Sequence, residues 1–132
     1  MKFRLTASIA LLILSFTFLQ SCGLFNSDGD GLPINIEHEF MGVYAQGIED
    51  SWFYPCDYDY DLGWKPEFTE DSFGQLQQFW ESNDQNFGAF SLITIRGVLS
   101  KKGSYSGFFA RYEREIEILE ILSATPTEVR EC

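Results

Sequence analysis

Ser72-Phe73-Gly74-Gln75-Leu76-Gln77-Gln78-Phe79-Trp80-Glu81-Ser82-Asn83 decides how this 132-residue chain folds, because its apolar residues leave the period of the segments around it. Phe73, Leu76, Phe79 and Trp80 recur at spacings of three, three and one, which lines them along one face of a helix. Ser72 stands where an N-cap belongs, and Asn83 closes the element. On the N-terminal side, 36–56 reads as two strands with a turn at 47–50. Phe40, Tyr44 and Ile48 share one side of the first strand with Gly42 and Gln46, while Met41, Val43 and Ala45 take the other. Gly42 and Gly47 suit the sharp bends that small barrels use at corners. The second strand sets Phe53 against Trp52 and Tyr54. An acidic, aromatic loop at 57–66 then ends in Trp64-Lys65-Pro66, and 67–69 reads as a short strand.

On the C-terminal side, 87–99 is dense enough in Phe90, Leu92, Ile93, Ile95, Val98 and Leu99 to be a central strand. Lys101-Lys102-Gly103-Ser104 makes a turn, and 105–122 forms the last long element, stopped by Pro126. That element is ambiguous, since Tyr112, Ile116 and Leu119 stand at helical spacing. Gly107 and Phe108-Phe109 favour strand, with a bulge where Ile118 and Leu119 fall together. The order is therefore strand, strand, short strand, helix, strand, strand. It predicts a mainly β domain, a five-stranded OB-like partly open barrel with one short helix between the third and fourth strands.

Ahead of this domain, Lys2 and Arg4 precede a run without charge from Ala7 to Leu19, and Leu19-Gln20-Ser21-Cys22 follows. The layout resembles a bacterial lipoprotein export signal ending in a lipobox. The resemblance implies a signal peptide over 1–21 and a diacylglyceryl group on Cys22; Gly23, Gly29 and Gly31 with Asn26, Ser27, Asp28 and Asp30 then make 22–33 a lipidated flexible tether by composition, ahead of the OB-like domain at 34–132. The competing reading is an uncleaved membrane helix; its strongly apolar core, Ile9 to Leu19, falls short of the ~20 residues a span needs. No Asp follows Cys22, and Asp there retains lipoproteins of the enteric type at the inner membrane. The resemblance therefore implies the outer membrane of the cell envelope, with the chain's membrane contact made through the lipid.

A second resemblance covers most of the remaining chain. Gly47, Glu49, Ser51, Phe53, Pro55, Cys56 and Trp64, then Arg96-Gly97-Val98-Leu99, Gly103, Tyr105 and Cys132, look like a family of small envelope lipoproteins. They are also similar to the C-terminal OB-like domain of NlpE-type envelope-stress lipoproteins. These matching residues are glycines, aromatics and a cysteine pair, so they carry a fold rather than a reaction.

If Cys22 is lipidated, Cys56 and Cys132 are the only thiols left in an oxidising compartment, and we expect them to pair. Two free thiols are the alternative. Loss of Lys2 and Arg4 from a chain with nine basic and twenty acidic residues would leave a net charge of about −13, which repels nucleic acid. The sole histidine, His38, lies between Glu37 and Glu39, so neither a triad nor a zinc site is indicated; no catalytic residue and no cofactor are expected. Asp57, Asp59 and Asp61 alternate as calcium ligands do, yet Leu62 and Phe68 occupy the EF-hand's Gly and Glu places. A solvated acidic loop is the competing reading there.

Basic residues are distributed unevenly. Arg96, Lys101, Lys102, Arg111 and Arg114 fall on the last two strands and their connection, among Tyr105, Phe108, Phe109 and Tyr112. In OB-folds that connection helps to form the binding face. The candidate ligand face is therefore Trp52, Tyr54, Arg96, Lys101, Lys102, Tyr105 and Arg111, offered to an anionic glycan or protein partner in the envelope. Pairing of the arginines with Glu113, Glu115 and Glu117 is the structural alternative. A non-catalytic binding or adaptor module is the leading expectation, ahead of a ligand- or metal-responsive stress sensor and a small carboxylate hydrolase.

Overall fold

The computed structural model describes residues 29–85 and 89–132, so the expected signal peptide at 1–21, Cys22 and Phe87 lie outside the described residues. Among the described residues seven strands and one helix follow in order: β1 Glu37–Gln46, β2 Ser51–Pro55, β3 Lys65–Phe68, α1 Glu70–Ser82, β4 Phe90–Leu99, β5 Tyr105–Ser106, β6 Arg111–Tyr112 and β7 Glu115–Thr127. Five of the strands form one curled mixed sheet in the order β2-β1-β4-β7-β3. Its pairs are antiparallel except β3 with β7. The two ends of this ribbon meet where Phe53 and Trp64 exchange backbone hydrogen bonds of 2.9 Å. A sheet that curls until its edges touch at one bridge is the partly open, OB-like barrel expected from the element order.

The sequence explains the curl. Gly42 lies opposite Pro55, and a Cβ there would come within 2.6 Å of the Tyr54 carbonyl, so only glycine lets β2 fold this tightly over β1. β7 carries two bulges against β4, one skipping Leu119 and one skipping Leu122. Each adds bend and twist to the strand that must reach both β4 and β3. β4 alternates cleanly, with Ile93, Ile95 and Leu99 inward and Arg96 outward. The inward set joins Phe40, Tyr44, Phe53, Ile116, Ile118 and a fully buried Trp64 in one core. Trp64 is stacked between Phe53 and Tyr58 and meets Phe40 edge to face at 5.7 Å.

α1 covers the β3–β7 side, with Leu76 buried and Trp80 stacked on Tyr44. It begins two residues earlier than its period suggests, because Thr69 is the cap, accepting from the Ser72 N–H at 3.2 Å. Ser72 is instead fully buried and donates to the Ile118 carbonyl at 2.6 Å, pinning helix to strand. Glu70 and Asp71 in the first turn suit the helix dipole.

Four further expectations are corrected. Ile48 does not share the inner side with Phe40 and Tyr44; it stands in the β1–β2 turn, 88% exposed. The long element at 105–122 is broken, with 105–112 folding into its own β5–β6 ribbon before β7 begins. Pro126 does not stop β7, which continues to Thr127 with Pro126 opposite Ser91. There β7 has only β4 beside it, and the missing N–H of a proline is tolerated on an edge. Leu32, assigned by composition to the tether, is 2% exposed and packs in the core, while the Asn35 N–H bonds to Leu99.

Candidate functional site

The β5–β6 hairpin interrupts the connection between β4 and β7 and lies beside the seam where the sheet closes. Its base is fixed by backbone bonds from Ser100 to Glu115 and from Gly103 to Glu113, both 2.9 Å. At its tip, 107–110 turns back through a 3.0 Å bond from the Gly107 N–H to the Ala110 carbonyl. That tip is held from outside by one side chain. Asp50, 9% exposed at the start of β2, accepts from the backbone N–H groups of Phe108, Phe109 and Ala110 at 2.7, 2.8 and 2.9 Å. Burial pushes the Asp50 carboxyl up, but the three backbone donors and the Tyr112 hydroxyl outweigh it and hold the carboxyl below its usual range.

Tyr112 completes the clasp. Its hydroxyl donates to the Ser51 carbonyl at 2.8 Å, and burial followed by the Asp50 charge raises its pKa. A Cβ at position 107 would run into the Asp50 carboxylate, so the clasp requires glycine there. The result is a tip whose backbone donors are turned inward and whose side chains are turned out. Phe108 and Phe109 are 69% and 79% exposed, their rings 4.6 Å apart edge to face. Ile48, Trp52 and Phe109 line a shallow depression of about 490 Å³ beside them.

At the other end of the hairpin lies a cleft of about 630 Å³ lined by Asp30, Leu32, Lys102 and the 57–61 loop. Two buried charges stand behind it. Glu113, 6% exposed, faces Lys102 at 3.5 Å and accepts from the Asp61 N–H at 3.4 Å. Arg114, 1% exposed, donates to Asp30 at 3.1 Å and to the Ser100 carbonyl at 3.0 Å. Arg114 therefore belongs to the scaffold and not to a binding surface. Asp57, Asp59 and Asp61 do not converge: among the described residues no three His, Cys, Asp or Glu side chains are grouped to hold a metal ion. Asp61 faces Lys102 at 3.8 Å instead.

The expected ligand face divides. Trp52 leans on Tyr112 at 6.4 Å, Tyr105 donates to the Lys101 carbonyl at 2.9 Å, and Arg111 donates to Ser106, so these residues and Lys102 gather on or beside the hairpin. Arg96 does not join them, because it lies in mid-β4 between Glu37 at 3.6 Å and Glu120 at 2.9 Å. Tyr54 lies under the Arg130 guanidinium at 4.9 Å and beside Tyr60. Arg130 is brought there by the tail, whose last residue, Cys132, is disulfide-bonded to Cys56. His38 stands exposed on β1.

Sequence reasoning missed Asp50, Ile48 and the outward set of Phe108 and Phe109. The run Gly107-Phe108-Phe109-Ala110, uncharged beside Arg111, was the signal for the tip; nothing local marks Asp50, whose partners lie 58 to 60 residues away. No family model, curated protein or solved structure matches this chain, and its site is read from its own residues.

Proposed function

We propose that this chain is a non-catalytic, lipid-anchored lipoprotein of the bacterial envelope, held by acylated Cys22 at the outer membrane, whose OB-like domain is a binding or adaptor module. The observation that carries the reading is the clasped hairpin. A carboxylate drawn from another strand fixes a loop whose outward side chains make no core, which is an arrangement for presenting a surface rather than for stability. Lys101, Lys102, Arg111 and Tyr105 on that element suit an anionic partner, a glycan or a protein, recognised by charge and stacking. The acidic remainder of the chain repels nucleic acid.

Two measurements test this. The mass of the N-terminal peptide from the mature protein is expected to start at Cys22 and to carry acyl groups; an intact Met1 without them removes the anchor. Replacing Lys101 and Lys102 with Glu is expected to lower retention on peptidoglycan and lipopolysaccharide, and Lys101→Glu alone to lower it without changing the melting temperature, because Lys102 also faces the buried Glu113. Unchanged retention removes the charged contact.

A further inference from the structure

The segment 100–112 carries Lys101, Lys102 and Arg111 and no acid, in a chain whose acidic residues outnumber its basic ones by twenty to nine. Between the basic residues the hairpin is uncharged from Gly103 to Ala110. Its tip presents Phe108 and Phe109, and Ile48 from the neighbouring turn, all more than two-thirds exposed. Large apolar side chains grouped at one protruding point mark a place of contact.

Two features decide what the contact is. The first is the backbone. The N–H groups of Phe108, Phe109 and Ala110 end on Asp50, and that of Gly107 ends on Ala110. The loop 107–110 can therefore leave water without stranding one of its own N–H donors, the condition that hydrocarbon imposes on any polypeptide entering it. The second is the order of side chains behind the tip. Arg111, level with Ser106, stands directly behind the phenylalanines, and Tyr105, level with Tyr112 and bonded to the Lys101 carbonyl, lies farther back; Arg111 and Lys101 are both exposed. Apolar side chains leading, with cations and an amphipathic aromatic behind them, match acyl chains at the point and anionic headgroups around its base.

We propose that the tip formed by Ile48, Phe108 and Phe109 inserts into the headgroup–acyl boundary of the bilayer to which the protein is anchored. The inference rests on the anchored reading, because a domain this acidic needs the tether to hold it against a phospholipid surface. The reach is sufficient: Asp30 and Leu32 are fastened to the domain, and the seven residues 23–29 ahead of them extend to about 23 Å, comparable to the seven residues of hairpin after Ser100 up to Gly107. The domain then lies on its membrane by two contacts, with the cleft at 57–61 at the far end of the hairpin.

The test uses the full chain, extracted with its N-terminal segment and reconstituted into phosphatidylethanolamine–phosphatidylglycerol vesicles with either plain or brominated acyl chains. Phe109→Trp places a reporter at the tip, and Phe73→Trp places one on the exposed side of α1. After subtraction of the native tryptophan signal, Trp fluorescence from position 109 is expected to fall about twofold in brominated vesicles, and that from position 73 to be equal in both. Flotation of the vesicles separates the outcomes. Protein that floats with no quenching at position 109 overturns the insertion alone and assigns the tip to an apolar socket on a partner protein. Protein that fails to float overturns the anchored reading, and the insertion with it.

Discussion

β2 ends in two different fastenings. At its start Asp50 gathers three backbone N–H groups from the hairpin tip, and past its end Cys56 is covalently joined to Cys132. One fastening is a charge whose worth depends on its donors staying in place; the other is a bond that persists in the unfolded chain. The ends lie about 20 Å apart along the strand, six residues at ~3.3 Å each. The carboxylate fastening serves a loop that faces outward to make contact, and the sulfur fastening serves a tail that covers Tyr54. A presented loop is held by something that protonation can undo, a covering tail by something that only reduction can.

The largest effect is expected at the sulfur end. A bridge closing 76 residues constrains the unfolded chain by about 4 kcal/mol, so Cys132→Ser should lower unfolding free energy by roughly that amount in urea titrations. Amide exchange at Phe108, Phe109 and Ala110 under native conditions should barely change, because their acceptor lies at the other end of β2. Fast exchange at the tip in this variant would show that the two fastenings are one device.

Next comes Gly107. An added methyl group meets the Asp50 carboxylate, and Gly107→Ala should destabilise the domain by about 1–3 kcal/mol while freeing the tip amides. Gly103→Ala, at the hairpin base, meets only the Tyr105 ring at 3.3 Å and should stay within about 0.5 kcal/mol. Equal losses from both would mean that the clasp contributes nothing beyond the hairpin itself.

What the sequence disclosed follows from range. The helix was legible because Phe73, Leu76, Phe79 and Trp80 write their period locally, and the barrel was legible because strand order is a property of the whole chain. The cap was misplaced by three residues, since both Thr69 and Ser72 can cap and only the Ile118 carbonyl decides which is free to do so. The hairpin is hidden inside one longer element because Gly107 and Phe108-Phe109 favour strand, and what folds the tip back is Asp50, remote in sequence. The burial of Arg114 is not legible locally, because it is made tolerable by Asp30 and the Ser100 carbonyl, neither of them its neighbour in sequence. The cysteine pair was legible because setting Cys22 aside as the expected lipid site leaves two thiols to join.

Acidity should undo one fastening and spare the other. The carboxyl of Asp50 is held below its ordinary range, so its contribution is complete above the unfolded value of about 3.9 and is lost as pH falls through the lower folded value. The difference in melting temperature between the wild type and Asp50→Asn should therefore be constant near neutrality and shrink as pH is lowered from about 5 to about 2.5. The difference between wild type and Cys132→Ser should show no such narrowing over the same interval. A parallel decline in both would place the acid-sensitive groups elsewhere.

The smallest effects belong to Asp57, Asp59 and Asp61, which have the same side chain as Asp50 and none of its surroundings. Asp50 matters because three N–H groups point at one place; on the 57–61 loop the carboxylates line a cleft, and the nearest cation to Asp61 is a Lys102 that also faces Glu113. Single replacements by Asn should each shift stability by no more than about 0.5 kcal/mol, with Asp61→Asn the most noticeable because Lys102 then leans wholly on Glu113. Calcium titrated calorimetrically into the wild type should give no more heat than into the triple variant. A binding isotherm present in the wild type and absent in the variant would mean that the loop rearranges to gather its carboxylates, and that convergence, which the Asp50 clasp has in its donors, can also be supplied by an ion.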